Sequence, residues 1–352
     1  MAGISQSSAV ARSGQAPTVS SSAVRASVIL CTHNRGDALA TALDSVLRCE
    51  VEDDAYEVIV VDNASTDRTP QLLEQRIREL PGRPLRVVRE ERVGQQHARH
   101  LGARSARSSL LLFTDDDIEA APGWVQAYID AFKAHPEMQA AGGPIRPLWE
   151  SDPPAWLLEY MSRDEYSVTG GECCGPLALL DRGEDFLLDP DGYFFGNNMA
   201  IRYETLKRLG GFYPDRSGGE SIGPGEWAIV EAMQSSGTPI GYVPGAVIAH
   251  HVSTQRMSPE FFEKWPGPRD EMFDRWHGRP RTPRAVAAEL WRILRASWQP
   301  WLRAAFTRRR GDAEAVRVRV HGARGGMELR WLWRMITRRD LRALLDTERF
   351  GP

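Results

Sequence analysis

Leu110-Leu111-Leu112-Phe113-Thr114-Asp115-Asp116-Asp117 closes a continuous apolar run with three adjacent carboxylates. A short run of this kind reads as a buried strand. Three carboxylates crowded at the end of a buried element repel one another. They persist there when exposed, protonated or bound to a hard cation that takes oxygen ligands. In extended backbone, residues two apart point the same way, so Asp115 and Asp117 are expected to face one site and Asp116 another. An acidic turn after a strand would carry the same letters.

Moving outward, the pattern repeats. Ser27-Val28-Ile29-Leu30-Cys31 is an apolar run followed by Thr32-His33-Asn34-Arg35, and Val58-Ile59-Val60-Val61 is followed by Asp62-Asn63-Ala64-Ser65-Thr66-Asp67. Between the runs, Leu39, Leu43, Val46 and Leu47 give helical spacing over 38–47, and Leu72, Leu73, Ile77 and Leu80 give it over 69–80. Strand then helix, repeated, predicts an α/β fold with a mostly parallel sheet and flanking crossover helices. In open sheets of that kind ligands sit at the carboxyl ends of the strands, where Thr32, Asp62 and Asp115 would emerge together.

These residues resemble the family 2 glycosyltransferases, inverting enzymes of the GT-A fold, over about residues 26–252. The resemblance rests on motifs in the family's order: Thr32-His33-Asn34-Arg35; Val61 to Asp67; Glu91-Arg92-Val93-Gly94 with Ala98-Arg99 and Gly102; Asp115-Asp116-Asp117; Gly196-Asn197-Asn198-Met199-Ala200-Ile201-Arg202; and Tyr242-Val243-Pro244 with His250. It implies a sugar moved from a nucleoside diphosphate sugar, with a UDP- or dTDP-sugar favoured, to a small-molecule, glycan or lipid-linked acceptor. Thr32, Asn34, Arg35, Asp62, Arg99, Asp115 and Asp116 would bind the nucleotide sugar. Gly196, Asn198 and Trp227 would meet the donor or acceptor sugar. Asp117 and His250, with Asp115, would hold a divalent metal, Mn2+ or Mg2+, that stabilises the departing diphosphate. Gly94 and Gly102 also read as ordinary turn glycines, and Arg99 as a solvated helix residue.

The chain departs from the family where Gly-Glu-Asp is usual and Gly225-Glu226-Trp227 stands instead. The missing Asp commonly deprotonates the acceptor, so Glu226 is the nearest candidate base, with Glu220 and Asp215 as outsiders. Two other outcomes stay open: an acceptor that needs no strong base, or an inactive descendant acting as a binding module. A nucleotidyltransferase would want a Gly-rich, Lys-containing loop after the first strand, and Thr32 to Asp37 offers none. The family's Arg-Asn is also altered, to Arg99-His100.

The stretch from Pro147 to Gly192, rich in Pro, Gly, Trp and acidic residues, is expected to choose the acceptor. Trp149, Trp156 and Trp227 could stack on sugar rings there or simply pack. Cys173-Cys174 is too close for easy pairing and lacks metal-ligand spacing, and the four cysteines suggest a reducing compartment.

A chain of 352 residues with 42% hydrophobic composition can bury a sizeable core. Three regions are expected: a disordered tail over 1–24, a catalytic domain over 25–255 divided near 120 into nucleotide and acceptor halves, and a helical region over 256–352. No run approaches the ~18 apolar residues of a membrane span, so a cytoplasmic protein is expected. From Arg275 to Pro352 there are 19 Arg, no Lys and 7 acidic residues, a surplus of 12 positive charges, so the net −3 leaves −15 on the remainder. Amphipathic helices are expected over 285–307 and 327–345, with Arg on one side and Trp, Leu and Ile on the other. They would dock on anionic lipid at the inner face of the membrane, or cover the acidic catalytic domain or a twin subunit. Nucleic acid is not an expected partner, since no binding motif accompanies the charge.

Overall fold

The computed structural model describes residues 24–52, 55–162, 172–212, 216–217, 220–221, 225–265, 272, 275–276, 279–307 and 311–345. The expected disordered tail, but for Val24, lies outside the described residues, as does Asp215.

The first half of the chain runs β1 (Ala26–Thr32), α1 (Gly36–Leu47), β2 (Tyr56–Asn63), α2 (Thr69–Glu79), β3 (Leu85–Glu90), α3 (Gln95–Ser105), β4 (Leu110–Thr114), β5 (Ile118–Ala120), α4 (Trp124–Ala134), β6 (Ala140–Gly142), β7 (Ile145–Trp149) and α5 (Ala155–Ser162). There follow β8 (Glu172–Cys174), β9 (Leu179–Asp181), β10 (Leu187–Asp189), β11 (Asn198–Arg202), α6 (Tyr203–Arg208), β12 (Arg216–Ser217), β13 (Glu220–Ser221), α7 (Trp227–Ser235), β14 (Ile240–Tyr242) and β15 (Ile248–Val252). The chain then becomes helical: α8 (Pro259–Glu263), α9 (Pro283–Thr307), α10 (Ala313–Thr337) and α11 (Arg339–Leu345).

Eight strands form the main sheet in the order β10-β14-β6-β11-β4-β1-β2-β3. β3, β2, β1 and β4 are parallel, joined by α1, α2 and α3 as crossovers, which bears out the α/β expectation. β1, β2 and β4 are buried at every position because helices cover both faces, which is why their sequences are continuous apolar runs. β11 enters between β4 and β6 antiparallel to both, with Asn198 opposite Thr114. It therefore starts at the edge where β4 ends. A second, five-stranded sheet in the order β5-β15-β7-β9-β8 stands against that same edge and carries His250 on β15.

Gly102 is no turn residue: it lies inside α3, where a Cβ would come 2.4 Å from Ile29 Cγ2. Its missing side chain lets α3 settle on β1.

The helical region is not a separate layer. Ala313, Val316 and Val320 of α10 lie in the same core as the sheet, and Arg317 donates to the Glu159 and Tyr160 carbonyls of α5. α9 runs antiparallel along α10, with Ala304 near Gly322 and Ser297 near Gly325. At Gly325 a Cβ would fall 1.9 Å from Ser297 Oγ, so this glycine sets how closely the two helices approach. Trp331, Leu332 and Met335 join Ile293, Leu341 and Leu345 in a second core. The expected helix over 327–345 instead starts at Ala313 and breaks at Arg338. α10 thus covers part of the body, as one expectation had it, and α9 differs. The apolar residues of α9 do not cover the body: Leu290, Trp291, Leu294, Trp298, Leu302 and Phe306 are exposed. Among the described residues the basic tail pairs partly with itself, Arg292 with Glu289 and Glu328, and partly with the acidic body, Arg319 with Glu263.

Candidate active site

The parallel strands release their carboxyl ends side by side. β1 leads into Thr32-His33-Asn34-Arg35, β2 into Asn63, and β4 into Asp115-Asp116-Asp117. A cavity of about 320 Å³ opens there, lined by Thr32, His33, Arg35, Asn63, Gly94, Gln95 and all three carboxylates among others. A smaller one of about 120 Å³ lies beside it, lined by Gly196, Asn197, Glu226, His250 and Arg256, and by Asp115 and Asp117 again. The two cavities thus share a wall made of the outer carboxylates.

The expectation that Asp116 points away from the site is wrong. β4 ends at Thr114, so the two-residue alternation of a strand stops before the carboxylates. Asp116 accepts hydrogen bonds from Thr32 Oγ1 at 2.7 Å and from Arg35 at 2.7 Å. Burial pushes its pKa up to about 6, and Arg35 and Thr32 recover only part of the lost hydration. Asp117 pairs with Arg35 at 2.9 Å, and its Oδ1 lies 3.5 Å from His250 Nε2. Burial opposes its charge, yet His250 and Arg35 hold its carboxyl below the usual range. Asp115 is raised by burial, with Arg99 opposing.

His250, 133 residues beyond Asp117 in sequence, arrives on β15 through the second sheet. Its Nδ1 donates to the Leu177 carbonyl at 2.9 Å, which fixes the ring with Nε2 towards Asp117. Arg256 donates to that Nε2 at 3.1 Å and lies 3.7 Å from Asp117. Among the described residues no group of three or more His, Cys, Asp or Glu side chains makes a metal cage on its own. The donor set nevertheless fits a hard or borderline cation bound jointly with a ligand. It offers one ionised carboxylate and one oriented imidazole, with Asp115 on the shared wall.

Arg99 is buried, not solvated as one reading of the sequence had it. It donates to Glu226 at 3.0 Å and to Asp115 at 3.3 Å. Its guanidinium stays charged because the two carboxylates outweigh its desolvation. Glu226 precedes the first turn of α7 and accepts from the Gly196 backbone N–H at 3.0 Å, so its carboxylate is fixed in the smaller cavity. Asn197 lines that cavity as well; it is buried, and neither its Oδ1 nor its Nδ2 finds a partner among the described residues. An amide left this way is an opening for a polar ligand.

Other residues named from the sequence lie apart from the cavities. Asp62 is buried, with one oxygen accepting from the Ser65 backbone N–H at 3.0 Å and the other paired with Arg89. Asn34, in a left-handed conformation at φ 54°, accepts from Thr66 and Asp67 and so ties the β1 and β2 loops together. Asn198 is wholly buried: it accepts from Trp124 and Tyr128 and donates to the Pro144 and Ala246 carbonyls, joining the two sheets. Trp227 tilts against Tyr193, 6.5 Å away. Trp156 meets Phe262 edge-on inside the core. His33, Asn63, Gln95, Asn197 and Arg256 line the cavities and went unnamed as site residues. For His33 and Asn63, the signal was their place directly beside the strand-end residues that were named.

A family model for glycosyl transferase family 2 matches residues 27–210. Glucosyl-dolichyl phosphate glucuronosyltransferase of Haloferax volcanii is 22% identical over 191 residues, covering 54% of this chain and 56% of that protein. Validoxylamine A glucosyltransferase of Streptomyces hygroscopicus subsp. limoneus is 34% identical over 110 residues, 30% of this chain and 23% of that protein. The chain therefore spans about half the length of the first relative and less of the second. Among solved structures, the mannosyltransferase PcManGT of Pyrobaculum calidifontis, in complex with GDP-Man and Mn2+, aligns with a TM-score of 0.49 at 22% identity, over 91% of this chain and 78% of that one. The family match runs through more than half of the sequence and contains the strands that carry the carboxylates: the chain belongs to glycosyl transferase family 2.

Proposed function

We propose that the protein is an inverting, divalent-metal-dependent glycosyltransferase that uses a nucleoside diphosphate sugar, with UDP- or dTDP-sugars favoured, and a small-molecule, glycan or lipid-linked acceptor. The observation that carries this reading is the pair of cavities sharing Asp115 and Asp117. The larger one suits a nucleotide and the smaller one a sugar, with the diphosphate between them. The N-terminus of α3, at Gly94 and Gln95, opens into the larger cavity and adds positive potential for an anion. Arg35 and Arg256 stand at the shared wall, where they would contact the same diphosphate. Mn2+ or Mg2+ held by Asp117 and His250, with Asp115, would neutralise charge on the departing diphosphate.

In this reading Glu226 accepts the proton of the acceptor hydroxyl. The oxygen so activated bonds to the anomeric carbon while the bond from that carbon to the diphosphate breaks, so configuration inverts. Arg99 positions Glu226, and Asn197 orients a sugar hydroxyl. A place in the cytoplasm agrees with four buried thiols at Cys31, Cys49, Cys173 and Cys174. No helix among the described residues is long and apolar enough to cross a membrane.

Thermal shift and donor hydrolysis across a panel of nucleotide sugars, with and without Mn2+, test the assignment. The expected result is Mn2+-dependent hydrolysis of at least one donor by wild type and none by Asp117→Asn. Equal blanks from both proteins across the panel would leave only a binding module.

A further inference from the structure

We propose that α9 is a membrane-docking element that lies on an anionic lipid bilayer. The helix is turned inside out. Its buried positions are Glu289, Ile293 and Ser297, two of the three polar, while Leu290, Leu294, Trp298, Leu302 and Phe306 form a four-residue series along the outward side. Phe306 is 87% exposed and Trp291 is 67% exposed, values that large apolar side chains reach only at a cost in water. Such a row, about 24 Å long over sixteen residues of helix, is an interaction surface.

Its charges select the partner. The exposed charged residues of α9 are Arg284, Arg295 and Arg303, and its one acidic residue, Glu289, is turned inward to Arg275 and Arg292. The sequence then runs directly into Arg308-Arg309-Arg310. Two copies joined through this row would bring arginines against arginines with no carboxylate on the helix face to relieve them. Residues 1–24 contain no Asp or Glu and bring no countercharge. A bilayer surface supplies both needs: acyl chains for Trp, Leu and Phe, and phosphates for arginine. Trp333 and Ile336 of α10 are exposed as well. Docking requires no turnover, so it stands or falls apart from the transferase reading.

Co-flotation of the full chain with vesicles tests this. The protein is expected to float with vesicles enriched in phosphatidylglycerol, to stay at the bottom with pure phosphatidylcholine, and to show blue-shifted tryptophan emission when bound. Leu294→Ser combined with Trp298→Ser, Leu302→Ser and Phe306→Ser should reduce flotation roughly ten-fold or more, as should Arg295→Glu with Arg303→Glu. Both variants change exposed positions, so melting temperature and donor hydrolysis without vesicles are the controls for an intact fold. Failure of the full chain to float with anionic vesicles, or undiminished flotation of the apolar variant, overturns the proposal. A wild-type dimer that the apolar variant turns into a monomer, with neither protein binding vesicles, also overturns it and assigns the row to a second copy.

Discussion

At the scale of single residues, the site is a balance of buried charge. Arg99 holds Asp115 and Glu226 at once, so Arg99→Met leaves two carboxylates facing each other with no cation between them. The expected cost is about 3 kcal/mol of stability, read by denaturant titration, together with a loss of turnover. Glu226→Gln keeps the side chain's size and one accepting oxygen, enough for either Gly196 or Arg99 but not both, and removes the proton acceptor. Turnover on an alcohol acceptor should drop by ~10²–10⁴ while the thermal shift given by donor and Mn2+ persists. His100 shows a separate pH effect. Its Nε2 accepts from the Phe212 backbone N–H, and burial lowers its pKa from 6.5 to about 4. A depressed histidine stabilises the fold above pH 6.5 and loses that contribution as pH falls towards 4, by about 3 kcal/mol. His100→Asn should therefore melt with a shallower pH dependence over that window than wild type. Much of the site was readable at this scale wherever a residue ends a strand: Thr32, Arg35, Asp115 and Asp117 follow apolar runs. Asp116 was misread because alternation was carried past the last strand residue. Arg256 carried no signal, since one arginine among many looks like any other.

At the scale of elements, periodicity found what is local. The helix limits of α1 and α2 agree with the spacing of their leucines within two residues. β3 escaped notice because Leu85-Arg86-Val87-Val88-Arg89-Glu90 is an edge strand, only partly buried, and its apolar signal is broken by charge. The three-residue strands β9 and β10 are paired with the distant β7 and β14, and β8 with β9, each too short for a local pattern to announce it. α10 was expected to begin near Met327, yet it runs through Gly322, Gly325 and Gly326, residues of low helix propensity. Tertiary contact overrides that propensity: the small residues allow α9 to approach. Gly325→Val should lower the melting temperature through overpacking against Ser297, at a cost of about 2 kcal/mol, whereas the same change at Gly82, which has a positive φ but open space, acts only through local strain.

At the scale of the whole molecule, composition revealed that 275–352 is basic and the rest acidic, but not which surfaces meet. Charge suggested a tail clasped electrostatically to the body. In the folded chain, Val316 and Val320 instead enter the main core, and α9 is left with its apolar row facing outward. A truncation ending at residue 282 should therefore expose core surface and aggregate or melt many degrees lower. A soluble product with the wild-type melting temperature would show that α10 is dispensable to the core. His250 could be tied to Asp117 only through family resemblance, because nothing in a single sequence measures the distance that the second sheet closes.

The backward run of β11 between two forward strands has an evolutionary consequence. Everything from β5 to Asn197 leaves the rim at the carboxylates and comes back to the same rim, like a cartridge clipped in at one slot. Insertions or deletions in the interior of that excursion leave both clips where they are. New acceptor preferences could thus be acquired in the loops of the excursion while β5, β7 and the Leu177 carbonyl, which seat His250, are kept, a modularity that loop exchanges retaining those segments would reveal.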